Sequence, residues 1–459
     1  MKHKGILIKF AALLLALVLM LCISLTSCAS EGAETTTEAE TEAPFVPATD
    51  DGEESELYKR YAEYEENASL AFKSYSPVDA DAFSYEKTEG GVKIVKYIGE
   101  ETIVIIPDSI DGAEVVEIAE GAFAESTVRA VYVPDTVKKI GQGAFEGCTS
   151  LSTLRVPFVG DGGENLFVGY IFGADEVDAN AVALPPSLDM IIVGGGCDSI
   201  ADEAFKGAKT LSAVILSDNV KKIGKLAFYQ CVDLVYFSAN GIEEIDEYAF
   251  AFCKALYSID ISGVQTVTKG AFFSCTALNS ISLSLSENDY LGRIFDAESP
   301  EYNDELVPQS LRKVTVAEGC KTIPARAFYS CQYITEVNLP DSLEVVGIRA
   351  FYACRSLGKV TIPDNVKMIR DDAFFGCESL ASLTLGSSLE IIGMQAFFGC
   401  SALKSVECPD SLIEIGSSAF YGCESLVSVD LGGTSHVGKD AFANCPALEP
   451  IDYSGVTVE

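Results

Sequence analysis

The sequence predicts a mostly β solenoid of about fourteen coils, each 22–23 residues long, in which two coils carry longer loops. Three observations predict it. First, the phrase Ala-Phe-x-x-Cys recurs at a fixed step: Phe328, Phe351, Phe374, Phe397 and Phe420 follow one another at 23 residues, and Phe442 closes the series after 22. A fixed period of this size means a stack of small, like units. Second, each unit writes a short alternating strand, a turn, and an Ile-rich half-turn. Third, the same landmark extends back through Phe272, Phe250, Phe228, Phe205, Phe145 and Phe123. Degenerate copies at Phe172 and Phe295 complete fourteen. Each degenerate unit is followed by a step of 33, and Phe172 is also preceded by one of 27.

Taken in chain order, residues 1–27 read as a secretory leader. Lys2, Lys4 and Lys9 form its charged region, and Phe10 to Ile23 is a continuous apolar run, short for a membrane span. Leu25-Thr26-Ser27-Cys28 follows and resembles the bacterial lipobox, which implies that Cys28 becomes a lipidated first residue of the mature chain. Two or more acyl chains anchor stably. Residues 28–56 hold no Lys or Arg and are rich in Glu, Thr and Ala, so they read as a disordered, self-repelling tether. A helix fits 52–73 with Leu57, Tyr61 and Tyr64 on one face, and the segment between tether and solenoid is assigned to 57–80.

Residues 81–121 read as an N-terminal cap. Val92-Lys93-Ile94-Val95-Lys96-Tyr97 and Ile103-Val104-Ile105-Ile106 look like paired strands without the Cys phrase, and a terminal unit must seal the open end of a stack. The regular coils occupy 122–450, and 451–459 is a short end. In one coil, Leu357, Val360 and Ile362 alternate as a half-buried strand, and Pro363-Asp364 ends it because Pro lacks the ladder N–H. Val366 and Ile369 then point inward from the opposite wall, and Ala373-Phe374 plugs the coil. Gly follows the Ile at 141, 224, 393 and 416, where a corner with positive φ is expected. At a strand spacing of about 4.8 Å, fourteen coils make a stack on the order of 65 Å long.

The pattern Ala-Phe-x-x-Cys-x-x-Leu-x-x-Val-x-Ile-Pro-x-x-Val-x-x-Ile-Gly resembles the BspA-type leucine-rich repeat, over about residues 82–450. The resemblance implies a leucine-rich-repeat solenoid and a surface or secreted bacterial protein, several relatives being implicated in adhesion.

Composition excludes several functions. Without the leader the chain carries 29 basic against 68 acidic residues, which argues against nucleic acid and points to a cationic partner. His3 falls in the leader and His436 stands alone, so the commonest general base and neutral metal ligand are almost missing. Ten cysteines sit three residues after a plug Phe, Cys197 and Cys320 share a second position, and Cys408 replaces a strand aliphatic. In-register side chains point the same way, so buried free thiols are expected ahead of disulfides. No Cys-x-x-Cys spacing supports zinc. No metal and no cofactor is assigned.

Two stripes and two insertions are the places where a partner could bind. Outward side chains on the expected concave sheet are mostly small and polar, except Tyr236, Tyr257 and Asp260, which are taken as the candidate ligand-binding residues because exposed Tyr is a frequent interface anchor. A second stripe (Tyr229, Phe273, Tyr329, Tyr352, Phe375, Phe398, Tyr421) reads either as a ladder stacking on itself or as a strip for a peptide or glycan. The insertions, 158–184 and 285–306, resemble each other and mark a duplicated block of five units. They fit recognition loops or simple copying of the array. The expected function is a lipid-anchored, outward-facing binding module for a protein or glycan. The alternatives are a spacer or envelope scaffold and, remotely, a glycan-acting enzyme. No catalytic residue is assigned.

Overall fold

The computed structural model describes residues 75–459 together with Lys59 and Phe72. The leader, Cys28 and the tether lie outside the described residues, as does most of the 57–80 segment. Of its described residues, Lys59 and Phe72 are helical, Tyr75 to Asp79 is irregular, and Ala80 opens a 3-10 turn.

Parallel strands one coil apart build two walls. The main wall runs from Ile103–Ile105 through Ala130–Tyr132, Thr153–Val156, Met190–Val193 and Ala213–Leu216 to Tyr236–Ser238. It resumes at Ser258–Ile261 and continues to Ser382–Thr384, and Ser405–Glu407 with Ser428–Asp430 form a last two-stranded piece. Register is strict: Lys359 pairs with Ser382, Val360 with Leu383, and Thr361 with Thr384. A single-residue slip would turn the apolar column outward, so this register is held by burial itself. The opposite wall is made of two-residue strands such as Lys222–Ile223, Glu244–Ile245 and Met368–Ile369.

The stack has about 16 turns, against about fourteen expected. The difference lies at the ends. Ala82-Phe83 is one further plug, and Thr457–Val458 pairs with His436–Val437 beyond the last Ala-Phe landmark. At the start, Phe83–Thr88 forms an antiparallel hairpin with Gly91–Tyr97. The pairing expected within 81–121 is different, however. Gly91–Tyr97 joins Ala113–Ile118 on one wall, while Ile103–Ile105 joins Ala130–Tyr132 on the other. Two adjacent apolar runs in a coil face each other across the core, so adjacency in sequence does not make them ladder neighbours.

The core is one column of rings. Phe205, Phe228, Phe250 and Phe272 stack at 4.9–5.2 Å, and Phe328 through Phe442 at 5.0–5.3 Å. The Phe N–H donates to the carbonyl of the residue before the next plug, as from Phe351 to Ala373 at 2.7 Å, and in the regular coils that residue is a buried Ala.

The Gly that follows the wall Ile does not have positive φ. Positive φ falls two residues before and two after the plug Phe of the regular coils, at Gly143, Arg326, Arg349, Asp372, Gln395 and Ser418 before it, and at Gly147, Ser330, Ala353 and Gly376 after it; at the degenerate plugs it falls one residue after, at Gly173 and Asp296. Gly224, Gly393 and Gly416 are required for a different reason: a Cβ there would sit within 2.6 Å of the backbone of the preceding coil. Close approach between coils, not turn chirality, selects glycine.

Candidate binding face

Interruptions in the walls locate the two insertions. The short-strand wall is broken between Lys139–Ile140 and Ser199–Ile200, and again between Thr266–Val267 and Thr322–Ile323. The main wall passes straight through, pairing Thr153–Val156 with Met190–Val193 and Ser280–Leu283 with Lys313–Val316. Both insertions therefore leave the main sheet intact as a surface.

Each insertion folds the same way. A 3-10 turn (Val168–Phe172, Leu291–Phe295) leads into a second short turn and a single helical turn (Asn180–Ala183, Asn303–Leu306). Asn180 and Asn303 are fully buried and accept the backbone N–H of Gly169 and Gly292 at 2.8 and 3.0 Å. A Cβ on either glycine would overlap the Asn Oδ1. The asparagines were not singled out from sequence, although Gly-x4-Ala-x5-Asn is legible in both loops once the two are aligned. The loops are built from buried backbone hydrogen bonds, which makes them structural inserts and not free recognition tips.

On the main sheet, the two outward columns change character along the stack. Over the C-terminal coils they carry Glu336, Lys359, Ser382, Ser405 and Ser428 in one column, and Asn338, Thr361, Thr384, Glu407 and Asp430 in the other, all exposed. Over the N-terminal coils the same columns carry Met190, Ala213 and Tyr236, which form an apolar cluster of their own with Ile192 and Ile215. Tyr236 is 3% exposed and Tyr257 6%, while Asp260 is exposed. The expectation of exposed tyrosines therefore fails for both: Tyr236 lies in an outward column that is apolar and packed over its coils, and Tyr257 precedes the strand Ser258–Ile261, whose outward positions are Ser258 and Asp260. Of the three candidate residues only Asp260 is open to solvent.

Arg155 was also missed from sequence. It is 8% exposed, donates through Nη1 to the Val133 carbonyl, pairs through Nη2 with Asp135 at 2.6 Å, and lies over the Tyr132 ring at 4.6 Å. A cleft of about 670 Å³ opens beside it, lined also by Tyr75, Ile105, Ile192 and Ile215. Gly194 is needed next to this pair, because a Cβ would run into both the guanidinium and the Asp135 carboxylate.

Five of the seven stripe residues form a self-stacking ladder, whereas Tyr229 and Phe273 meet Phe252 edge to face. Tyr329, Tyr352, Phe375, Phe398 and Tyr421 lie face to face at 4.7–4.9 Å with planes within 7°. Their faces are used on one another and only edges remain, so the ladder has no ring face to offer a sugar except at its ends.

All thirteen described cysteines are free. Nine of the ten after a plug Phe, all but Cys331, donate their thiol to the Phe carbonyl one coil back, as Cys354 to Phe328 at 3.0 Å and Cys377 to Phe351 at 3.2 Å. Burial pushes Cys148 up to about 11, and Cys354 and Cys400 up to about 12. These groups are small core residues with one satisfied donor, not nucleophiles. Among the described residues no group of His, Cys, Asp and Glu could hold a metal ion, and no helix is long and apolar enough to cross a membrane.

Comparison with known proteins agrees with this architecture. The model of the BspA-type leucine-rich repeat region matches residues 110–169, 176–298 and 321–449. A leucine-rich repeat protein from Bacteroides ovatus is 24% identical over 81% of this chain and 93% of its own, with a TM-score of 0.39. A leucine-rich cell surface protein from Faecalibacterium prausnitzii is 22% identical over 82% and 94%, with a TM-score of 0.31. An internalin from Listeria monocytogenes is 14% identical over 65% and 86%, with a TM-score of 0.32. No curated protein sequence matches. A stack of plugged coils of this period, matched by that repeat model over most of its length, belongs to the BspA-type leucine-rich-repeat family.

Proposed function

We propose that this chain is a surface-held binding module that takes a protein with a basic face on the open C-terminal half of its main sheet. The observation that carries the reading is the flat, solvent-open pair of columns from Glu336 to Asp430, with Asp260 exposed farther along the same wall. Small and acidic side chains at a regular spacing of about 4.8 Å suit a broad protein surface. A net charge of −36 favours a cationic partner. The stacked aromatic faces favour a protein over a glycan. Lipid attachment at Cys28 and outward display rest on the leader motif, and they predict that Cys28→Ala releases the protein from the cell envelope.

The test is binding of the reduced mature chain to an array of extracellular-matrix proteins, mucins and glycans. Saturable binding to a few basic proteins is expected, weakening as salt rises and lost in Glu407→Lys/Asp430→Lys. Silence across the array at micromolar concentrations would overturn the reading and leave a spacer or scaffold.

A further inference from the structure

Among the described residues, the wall of two-residue strands misses one strand at each insertion. The main-wall strand Thr153–Val156 has no counterpart between Lys139–Ile140 and Ser199–Ile200, and Ser280–Leu283 has none between Thr266–Val267 and Thr322–Ile323. In a regular coil, amides of the short strand face the coil before it: the Glu243 and Glu244 N–H donate to the Lys221 carbonyl, and the Asp246 N–H to that of Ile223. Register places Asp198, Ser199 and Ala201 at the same three positions. Among the described residues no carbonyl of the preceding coil meets their N–H groups. The first insertion closes only the far side of its gap, where the Asp161 carbonyl accepts the Ile140 N–H at 3.2 Å. Ser199–Ile200 is thus a bare strand edge, with donors spread over about 10 Å.

A cleft of about 680 Å³ opens along this edge. Phe158 and Val159, both buried, and Leu166, which is 43% exposed, line it from the insertion, and Asp198, Ser199 and Ala201 line it from the strand. Its rim is acidic. Glu164 and Asp198 are exposed, and the lining cation, Lys221, lies 4.0 Å from Glu243. Nearby strands of the same wall show which chemistry suits such a place. They read Val137-Lys138-Lys139-Ile140-Gly141 before the gap and Val220-Lys221-Lys222-Ile223-Gly224 after it, with Val and Ile buried and Lys at the surface.

We propose that this cleft takes an extended peptide of mixed apolar and basic residues, which pairs with the edge of Ser199–Ile200 and supplies the missing strand. Carbonyls of the peptide accept from the Asp198, Ser199 and Ala201 amides. Its apolar side chains pack on Leu166 and Phe158, and its basic ones face Glu164 and Asp198. The second gap differs at two of these positions. Pro324 stands where Ala201 does and has no N–H to offer, and Lys321 stands where Asp198 does. The duplicated block therefore holds its own comparison, one open edge and one blunted edge. The cleft lies off the open columns used by the proposed protein-binding face, so either reading can fail alone.

The probe is a fluorescent synthetic peptide, Asn-Val-Lys-Lys-Ile-Gly-Lys, which copies residues 219–225. Its anisotropy is titrated with the reduced mature chain at physiological salt, and saturable binding is expected. Ala201→Pro, which copies Pro324, should weaken binding about tenfold or more, and a scrambled peptide of the same composition should bind as weakly. Leu166→Ser, a surface change that keeps the test sound if Ala201→Pro does not fold, should weaken it about threefold. Glu407→Lys/Asp430→Lys should leave it unchanged. Saturating peptide should also slow maleimide labelling of Cys197, which lines the cleft, and spare Cys320, its counterpart at the second gap. No saturable binding, equal binding of the scrambled peptide, affinity that ignores Ala201→Pro and Leu166→Ser, or equal slowing at Cys320 would each overturn the proposal.

Discussion

Asn180 reaches back eleven positions and accepts the Gly169 amide through Oδ1 at 2.8 Å, and Asn303 repeats the contact with Gly292 at 3.0 Å. Both pairs are fully buried, so removing the acceptor strands an N–H without water. Asn180→Ala and Asn303→Ala should each cost about 1–3 kcal/mol. The first should be worse, because the Asn180 amide nitrogen also donates to the Lys206 carbonyl at 3.1 Å, while that of Asn303 lies beside the Cys331 sulfur. Urea midpoints of the two variants decide it; equal or negligible shifts would refute the ordering.

Phe374 and its neighbour Phe375 stand in parallel ring ladders with similar spacing, 5.0–5.1 and 4.7–4.8 Å, but only Phe374 is fully buried. Phe374→Ala should cost about 3–5 kcal/mol, since cavity and transfer terms add. Phe375→Ala is half-exposed and should cost nearer 1 kcal/mol. Thermal melts of both variants compare them directly. A comparable loss for Phe375→Ala would mean that the outer ladder carries core-like energy.

Ser418 occupies one of the left-handed positions before the plug, with φ of 54°. An L-residue there is strained by about 1–2 kcal/mol, partly offset by the entropy of a glycine replacement. Ser418→Gly should therefore raise the melting temperature slightly, and Ser418→Val should lower it. A stabilising valine would contradict the assignment of strain to this position.

Buried thiols make stability pH-dependent on the alkaline side. Burial lifts Cys148 to about 11 and Cys354, Cys400 and Cys408 to about 12, from 9.0. The protonated thiol is what the fold accommodates, so this contribution is complete below pH 9 and is lost as pH rises toward 12. Each such group weakens folding by about 1.4 kcal/mol per pH unit in that window. Unfolding midpoints should be flat to about pH 8.5 and then fall steeply, and a Cys354→Ala/Cys400→Ala variant should fall less steeply. Native thiol titration at pH 8 should find Cys197, Cys320 and Cys445 first, the half-buried three.

Much of this fold could be read from the chain because a repeat states each buried position many times. The plug Phe, the wall Ile and the thiol column were all visible as periodic residues. Three features were not. The role of the glycine after the wall Ile depends on how near the next coil's backbone comes, and no single unit encodes that distance. Exposure of Tyr236 and Tyr257 was inferred from strand alternation, which neither foretells that Met190, Ala213 and Tyr236 pack on one another nor fixes where the strand beginning at Ser258 starts. Asn180, Asn303 and Arg155 occur once per block or once per chain, so periodicity passes over them, and their meaning lies in contacts with Gly169, Gly292, Asp135 and Tyr132 that only the folded chain brings within reach.

The two buried Asn–Gly pairs are offset by the same 123 positions, from Gly169 to Gly292 and from Asn180 to Asn303, which is also the distance from Phe172 to Phe295. A genetic exchange that slips by that amount adds or deletes five coils while every new junction still meets the partner it had before. Slips that are not a whole number of coils would throw side chains to the wrong wall and be lost as unfolded products. Exchange between the two Asn–Gly blocks would therefore change the reach of the stack by about 24 Å at a stroke, whereas exchange between neighbouring 23-residue coils changes it by about 4.8 Å.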